Sequence, residues 1–235
     1  MIRHDYNHIN RFGNTTNSLL FEKANINYIS IPKVANTSIK IAIIKPLKIL
    51  NAKDQHFIDQ NPNLIHKVLK FHFNNKIQIF SKDNSKVEFA LIRNPIDRLT
   101  SFYFDKIIGS GWDQKVKNKV FPYFGFSSDM SLEDLISRVC EIPDQLSEIH
   151  FRSQSRIIKQ SQLYDNIDIF NIDYFDLFES YLSDLFKKKF EIKLINIETF
   201  QKSNKDSFKI GAHSMKKLSL RFENDFNLFE KFKKN

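Results

Sequence analysis

Two segments of the chain share one pattern of apolar and polar positions. In each, a short run rich in β-branched and aromatic residues leads into a polar turn, and apolar residues then recur every three or four positions. The first run is typical of a strand and the later spacing of an amphipathic helix. The pattern predicts strands over 26–31 and 87–92 that feed helices over 37–47 and 95–108.

The rest of the chain continues this alternation. Ser131 and Asp134 form a capping-box pattern that predicts a helix reaching Cys140. Residues 150–159 are predicted to be helical or turn-like, and residues 111–130 to form a loop or lid. A strand over 167–172, a helix over 173–188, a short strand near 192–197 and one or two closing helices are also predicted.

Strands that alternate with helices favour one α/β domain with a central parallel sheet flanked by helices. In such sheets, ligands bind at the carboxyl ends of the strands. The polar, Asn-rich residues 1–25 are predicted to form an N-terminal arm, and residues 26–235 the domain itself.

The first turn places a cation and two hydroxyls between a strand and a helix. Lys33 follows the strand directly, and Thr37 and Ser38 open the helix. Backbone N–H groups at a helix start have no partner within the helix and, with the helix dipole, suit an anion. The turn is not a Walker A loop, because it has no glycine and Lys33 is not adjacent to a hydroxyl residue. Asn36 is the residue of this turn expected to tolerate a positive φ.

The second turn repeats this arrangement. Asn94 suits the cap position of the helix and Pro95 its first turn. Arg93 before the cap has no capping role, and Ser101 lies two turns into the helix. Two anion sites in one domain predict a ligand that carries two phosphate-like groups.

Together the two turns resemble the nucleotide-binding signature of sulfotransferases, most closely the family-2 carbohydrate type. The stretch Lys33–Ser38 is similar to the 5′-phosphosulfate loop of that family, and Arg93–Tyr103 is similar to its 3′-phosphate site. Further along, His150–Ser155, Ile167–Asp173 and Phe222–Phe229 resemble later family segments in the same order. The resemblance runs from about residue 26 to about residue 232.

The chain departs from the family pattern at several positions. Phe151 replaces the usual Trp, Ser153 replaces the usual Pro, and no cysteine follows Gln154. The stretch 106–148 matches no family segment, so we expect it to contribute to recognition of the acceptor.

The resemblance implies a P-loop-like sulfotransferase fold and a transferase. Such an enzyme moves a sulfuryl group from 3′-phosphoadenosine 5′-phosphosulfate (PAPS) to a hydroxyl acceptor, here a carbohydrate such as a glycan or glycolipid, without a metal. The implied nucleotide-binding residues are Lys33, Val34, Ala35, Asn36, Thr37, Ser38, Arg93, Ser101, Lys202 and Ser203.

The predicted catalytic residues are Lys33, for the bridging oxygen, and a histidine that takes the proton of the acceptor. Pro62–His66 resembles a Val-His segment of the family, which favours His66 as the base, with His72 as the second choice. Glu88 and Asp54 remain alternatives. His150, Arg152 and Gln154 are expected to shape the site or to contact the nucleotide.

Composition narrows the function classes. The net charge is +9, which suits an anionic nucleotide and an acidic glycan, and the chain lacks the aromatic–basic pattern of an RNA-binding sheet. A single cysteine, Cys140, excludes an internal disulfide. No signal peptide or long apolar run is present, so we expect a cytoplasmic protein, a soluble bacterial member of the family.

Two other function classes stay open from the sequence. One is a P-loop-like kinase or other phosphoryl transferase, and the other is a non-catalytic protein that binds anions or glycans. The identity of the acceptor and the oligomeric state are not indicated by the sequence.

Overall fold

The fold is described by a computed structural model of the chain. It covers residues 18–21, 26–48, 50–66, 68–69, 87–162, 165–187, 189–192 and 210–233. The predicted residues His72, Lys202 and Ser203, and the predicted strand near 192–197 from residue 193 onward, lie outside the described part.

One sheet of four strands, in chain order, forms the centre of the described fold. The strands are β1 (Ser18–Phe21), β2 (Ile26–Ile29), β3 (Val87–Ile92) and β4 (Asp168–Asn171). Strands β2, β3 and β4 are parallel, and β1 pairs with β2 in antiparallel register. The parallel sheet confirms the predicted α/β class.

Strand β1 lies within the stretch 1–25 that the sequence predicts to be an N-terminal arm, of which Ser18–Phe21 is the described part. Ser18–Phe21 pair residue by residue with Ile26–Ile29 and form the edge of the sheet. Their sequence, Ser-Leu-Leu-Phe, has no alternation of apolar and polar residues that would predict a strand. The pairing depends on the buried neighbour β2, because edge strands take their stability from the sheet that they join.

Helices follow each parallel strand and fill the intervals between them. They are α1 (Asn36–Ile44), α2 (Ala52–Gln60), α3 (Pro95–Phe102), α4 (Gln114–Phe124), α5 (Leu132–Glu141), α6 (Gln154–Ser161), α7 (Phe175–Phe186), α8 (Ala212–Arg221) and α9 (Glu223–Lys231). Short 3-10 turns lie at Pro62–Leu64, Asp144–Leu146 and Ile172–Tyr174. The predicted capping box of Ser131 and Asp134 at the start of α5 is confirmed.

The prediction of a loop or lid over 111–130 is wrong. Helix α4 occupies the middle of that stretch, and the Asp113 side chain caps it by accepting from the Val116 N–H at 2.8 Å. Gly125, which favours a loop in the sequence, is the residue that ends the helix, with a left-handed φ of 69°.

The predicted helix over 95–108 changes its winding part-way. It is α-helical to Phe102 and continues as a π-helix over Tyr103–Ile107. A π-helix inserts an extra residue per turn and so changes the direction of the side chains that follow, which often occurs at functional sites.

Two buried apolar clusters form the core of the described fold. The first surrounds the sheet, with Tyr28 and Phe89 stacked at 5.4 Å. The second lies between α3, α4 and α5, and the fully buried Phe151 packs there against Phe102 and Phe124 at 5.6 and 5.1 Å. The phenyl ring that replaces the family Trp at position 151 is therefore a core residue.

The closing helix α9 is tied to α6 by one buried carboxylate. Asp225 accepts from the backbone N–H groups of Gln154 and Ser155 at 2.7 and 2.8 Å, and from the Ser155 hydroxyl at 2.7 Å. The carboxylate thereby serves the N-terminus of α6, a position that favours negative charge. In the described part of the chain, no helix combines the length and the apolar character that crossing a bilayer requires.

Candidate active site at the carboxyl edge of the sheet

The turn between β2 and α1 contains two left-handed residues. Lys33 has φ 70° and Ala35 has φ 46°, a conformation that costs non-glycine residues free energy and often occurs at binding sites. The expectation that Asn36 would hold the positive φ is wrong, because Asn36 is the first residue of α1. Its side-chain oxygen instead accepts from the hydroxyls of Ser30 at 2.7 Å and Tyr28 at 3.2 Å, which fixes the turn to the strand.

No side chain caps the start of α1, at Ala35. Side chains cap α2, α3, α4 and α5 at Asn51, Asn94, Asp113 and Ser131, and Asp225 serves the start of α6, whereas α7, α8 and α9 also begin without a side-chain cap. A helix start that has no side-chain acceptor leaves its first N–H groups to an external acceptor, and an anion fits best.

Lys33 is held close to this helix start by a carboxylate from the π-helix. Its ammonium lies 2.8 Å from an Asp105 oxygen, and the Lys106 ammonium lies 3.1 Å from the same oxygen. The Lys33 side chain is only 16% exposed, and this burial lowers its pKa, which Asp105 partly offsets. Burial alone would raise the pKa of Asp105, but the two lysines hold it below its usual value.

The second predicted turn lies directly against the first. One guanidinium N–H of Arg93 donates to the Lys33 carbonyl at 3.2 Å. The Gln154 side-chain amide makes two bonds to the Arg93 backbone, accepting from its N–H at 3.0 Å and donating to its carbonyl at 2.8 Å. Ser101 is half-buried on α3, seven residues and two turns from Asn94, so it lies on the same side of the helix as that cap.

Thr37 and His66 are brought together across the site. The Thr37 hydroxyl lies 2.9 Å from His66 Nε2, and the Lys40 ammonium lies 3.2 Å from His66 Nδ1. An ammonium can only donate, so Nδ1 accepts from Lys40 and Nε2 carries the hydrogen that is donated to Thr37. The Thr37 hydroxyl hydrogen is then directed to another acceptor.

The electrostatic surroundings keep His66 neutral. His66 is solvent-exposed as a whole residue, but both of its ring nitrogens contact protein groups, the Thr37 hydroxyl and the Lys40 ammonium. Partial desolvation, together with the positive charges of Lys40 and Lys106, lowers the pKa of His66 to about 3. Burial lowers the pKa of Lys40 to about 8, which still leaves the ammonium mostly charged at pH 7.

One buried arginine joins the Lys33 turn to the segment that contains His150. Arg98, only 3% exposed, donates to the Pro32 carbonyl at 3.0 Å, to the Ile149 carbonyl at 3.0 Å and to the Arg152 carbonyl at 2.7 Å. Because three carbonyls from two segments bind one planar guanidinium, their separation is fixed. Lys33 and His150 each follow one of these carbonyls in the chain.

Two carboxylates that the sequence left as alternative bases have structural partners. Glu88 is 2% exposed within β3 and accepts from the Asn27 side chain of the neighbouring strand β2. Asp54 lies in the first turn of α2, where Asn51 accepts from its N–H at 2.8 Å and donates to its carboxylate at 2.9 Å. Both carboxylates therefore make hydrogen bonds within the fold.

A comparison with models of known protein families gives a match that covers most of the chain. A model described as the sulfotransferase family matches residues 16–233. The chain belongs to the sulfotransferase family. The match confirms the resemblance to family-2 sulfotransferases, and it begins just before β1, which the structure also includes in the sheet. Searches of curated proteins and of solved structures found no match to this sulfotransferase.

Several site residues of the sulfotransferase were not predicted from its sequence. Lys40, Asp105 and Lys106 lie at the site, although no motif in the sequence marks them. Lys40 could have been found, because it lies one helical turn after Thr37 and therefore on the same face of α1. Asp105 could not, because its direction depends on the π-helix that follows Phe102.

Proposed function

We propose that this sulfotransferase moves a sulfuryl group from PAPS to a hydroxyl group of an acceptor, and that the acceptor is a carbohydrate. One observation carries the nucleotide assignment. The two anion turns predicted from separate parts of the sequence are in direct contact, through the bond from Arg93 to the Lys33 carbonyl. A ligand with a phosphate at each end of a nucleoside fits two such adjacent turns.

The charges around the site support a doubly anionic ligand. Lys33, Lys40, Arg93 and Lys106 surround it, and Asp105 is the carboxylate paired with two of them. Burial lowers the pKa of Lys33, Lys40 and Arg93 alike. A bound anion would stabilise the charged forms of these partly desolvated side chains and so raise their pKa values again.

We assign the 5′ end of the nucleotide to the first turn. Lys33, the hydroxyls of Thr37 and Ser38 and the backbone of Val34, Ala35 and Asn36 would hold it there, beside the uncapped start of α1. The Thr37 hydroxyl is already directed away from His66, so it can donate to a phosphosulfate oxygen. Lys33 would exchange Asp105 for the bridging oxygen, where a cation stabilises the charge that develops as the S–O bond breaks.

We assign the 3′-phosphate to Arg93 and Ser101 at the second turn. A guanidinium binds phosphate with two parallel N–H bonds, and Gln154 fixes the backbone from which Arg93 extends. Lys202 and Ser203, outside the described residues, are still predicted to close over this phosphate.

The donor supplies an activated sulfuryl group, and the protein must supply a group that takes the proton of the acceptor. The sequence predicts His66 for this step, with His72 as the second choice. For His66 to act, one of its nitrogens must first leave Thr37 or Lys40. The assignment of the acceptor as a carbohydrate depends on the resemblance to the carbohydrate type of family 2.

A thermal-shift comparison tests the proposed function against the two alternatives. The product nucleotide 3′-phosphoadenosine 5′-phosphate (PAP), ATP with Mg²⁺, and heparin are added separately to the full chain. A ligand that binds the folded state raises the melting temperature by mass action. We expect the largest shift with PAP. The largest shift with ATP and Mg²⁺ would favour a phosphoryl transferase, and a shift with heparin alone would favour a non-catalytic glycan-binding protein.

A further inference from the structure

A second histidine at the site has the geometry of an oriented base. His150 Nδ1 lies 2.8 and 3.0 Å from the two carboxylate oxygens of Glu148, and the His150 backbone N–H also donates to this carboxylate at 2.8 Å. Because a carboxylate only accepts, Nδ1 carries the hydrogen and the lone pair is on Nε2. Among the described residues, no hydrogen bond engages Nε2 of His150.

The surroundings of this pair fix the ring and leave one edge accessible. Glu148 is buried, with a side chain 7% exposed, while the His150 side chain is 22% exposed. Phe102 stacks on the ring at 6.2 Å, and Trp112 meets it edge-on at 5.6 Å. A ring held by packing and by a carboxylate keeps a single orientation, which a proton acceptor requires.

His150 lies at the same site as Lys33 and Thr37. The turn that contains Lys33 and Thr37 and the segment that contains His150 are both bound to Arg98. Arg98 binds the Ile149 carbonyl before His150 and the Pro32 carbonyl before Lys33. The position of His150 relative to the Lys33 turn is therefore set by one buried side chain.

His66 is less suited to accept a proton in this arrangement. Both of its nitrogens have protein partners, and the ammonium of Lys40 donates to its lone pair. A proton added to His66 would bring two positive charges together at a 3.2 Å contact. His66 is instead placed to orient the Thr37 hydroxyl.

We propose that His150, positioned by Glu148, takes the proton of the acceptor hydroxyl, and that His66 positions Thr37. The proposal rests on the proposed sulfuryl transfer. The acceptor oxygen forms a bond to sulfur while the bond from sulfur to the bridging oxygen breaks, and PAP leaves with that electron pair. The acceptor proton goes to Nε2 of His150 and then to water. The buried negative charge of Glu148 stabilises the imidazolium that forms.

Other charged groups act on this pair. Burial opposes the charge of Glu148, but His150 and Arg152 hold the pKa of that carboxyl below its usual value. His66, neutral at pH 7, adds no positive charge at the site. The carboxylate is therefore charged over the pH range in which an imidazole titrates.

The test uses water as the acceptor, so that no carbohydrate needs to be known. Release of labelled sulfate from PAPS is measured for the full chain and for His150→Gln, together with the Kd for PAP. We expect His150→Gln to lower the cleavage rate by roughly two orders of magnitude or more while the Kd for PAP is unchanged. His56→Gln, at an exposed histidine of α2, is the matched control and should keep the full rate.

A second variant tests the role of Glu148. Glu148→Gln removes the charge that stabilises the protonated ring, so the acid limb of the pH–rate profile should move to lower pH and the maximal rate should fall. An unchanged acid limb and rate would contradict the positioning role.

The outcomes separate this proposal from the proposed function. An unchanged rate in His150→Gln, or loss of PAP binding in that variant, would overturn the assignment of the base. If PAP does not bind the unsubstituted protein, or if the bound protein does not cleave PAPS, the sulfuryl transfer itself is contradicted.

Discussion

Lys33 makes two separate contacts at this site, one through its side chain and one through its backbone carbonyl. Its ammonium is paired with Asp105 at 2.8 Å, and its carbonyl accepts from Arg93 at 3.2 Å. Lys33 thus links the π-helix to the second turn. A residue with two separate bonds can affect both binding and turnover, so its variants must be measured for both.

Replacement of Lys33 should lower turnover more than binding. In Lys33→Ala the cation expected at the bridging oxygen is lost, so kcat for PAPS cleavage should fall by roughly tenfold or more. Lys53→Ala, at an exposed lysine of α2, is the control and should not change kcat. A higher KM with an unchanged kcat would make Lys33 a binding residue only.

Replacement of Arg93 should act on binding. Arg93→Ala removes a charged, partly buried donor, and the Kd for PAP should rise by an amount equivalent to about 2–4 kcal/mol. Isothermal titration of PAP into both proteins measures it. An equal Kd in a folded variant would remove Arg93 from the 3′-phosphate site.

His66 and Thr37 should behave as a unit. If His66 orients the Thr37 hydroxyl, His66→Ala and Thr37→Ala should each weaken PAP binding, and the double variant should be little weaker than either single one. If His66 is instead the base, as the sequence predicts, His66→Ala should lose turnover by about two orders of magnitude and keep its affinity for PAP. A double-mutant cycle on the Kd for PAP, with kcat measured in parallel, distinguishes the two roles.

At the scale of elements, the site depends on how segments between helices and strands are joined. The turn after β2 and the segment before α6 are distant in sequence, and Arg98 of α3 binds carbonyls in both. Burial lowers the pKa of Arg98 to about 10, and this lowering is partly offset by the carboxylates of Asp225, Glu148 and Asp144. The guanidinium therefore stays charged at pH 7. Arg98 thus connects two segments that are distant in the sequence.

Loss of this connection should be costly for stability. Arg98→Met leaves three carbonyls without their donor, so the free energy of unfolding should fall by about 3 kcal/mol or more. Arg138→Met, at a half-exposed arginine of α5, provides the comparison and should cost less. Chemical denaturation followed by circular dichroism measures both. Equal losses would show that Arg98 has no special structural role.

At the scale of the whole molecule, the sequence predicted the parallel strands and the two turns that lead from β2 and β3 into helices, because apolar runs and helix caps are local patterns. Features that depend on distant contacts were missed. Strand β1 pairs with β2, and its own four residues do not indicate a strand. Pro122 and Gly125 are residues typical of loops, so the sequence did not indicate α4, which contains the first and ends at the second. Asp105 reaches Lys33 because the helix widens after Phe102, and His150 is oriented by a carboxylate only two residues away, which no motif identifies.

The central claim is that one bisphosphate nucleotide spans the two turns, and a crystal structure with PAP tests it most directly. The account predicts the 5′-phosphate at the start of α1, with Lys33 moved from Asp105 to that phosphate, and the 3′-phosphate on Arg93 and Ser101. A nucleotide bound elsewhere, or bound with Lys33 still paired to Asp105 and Arg93 distant from the 3′-phosphate, would contradict it.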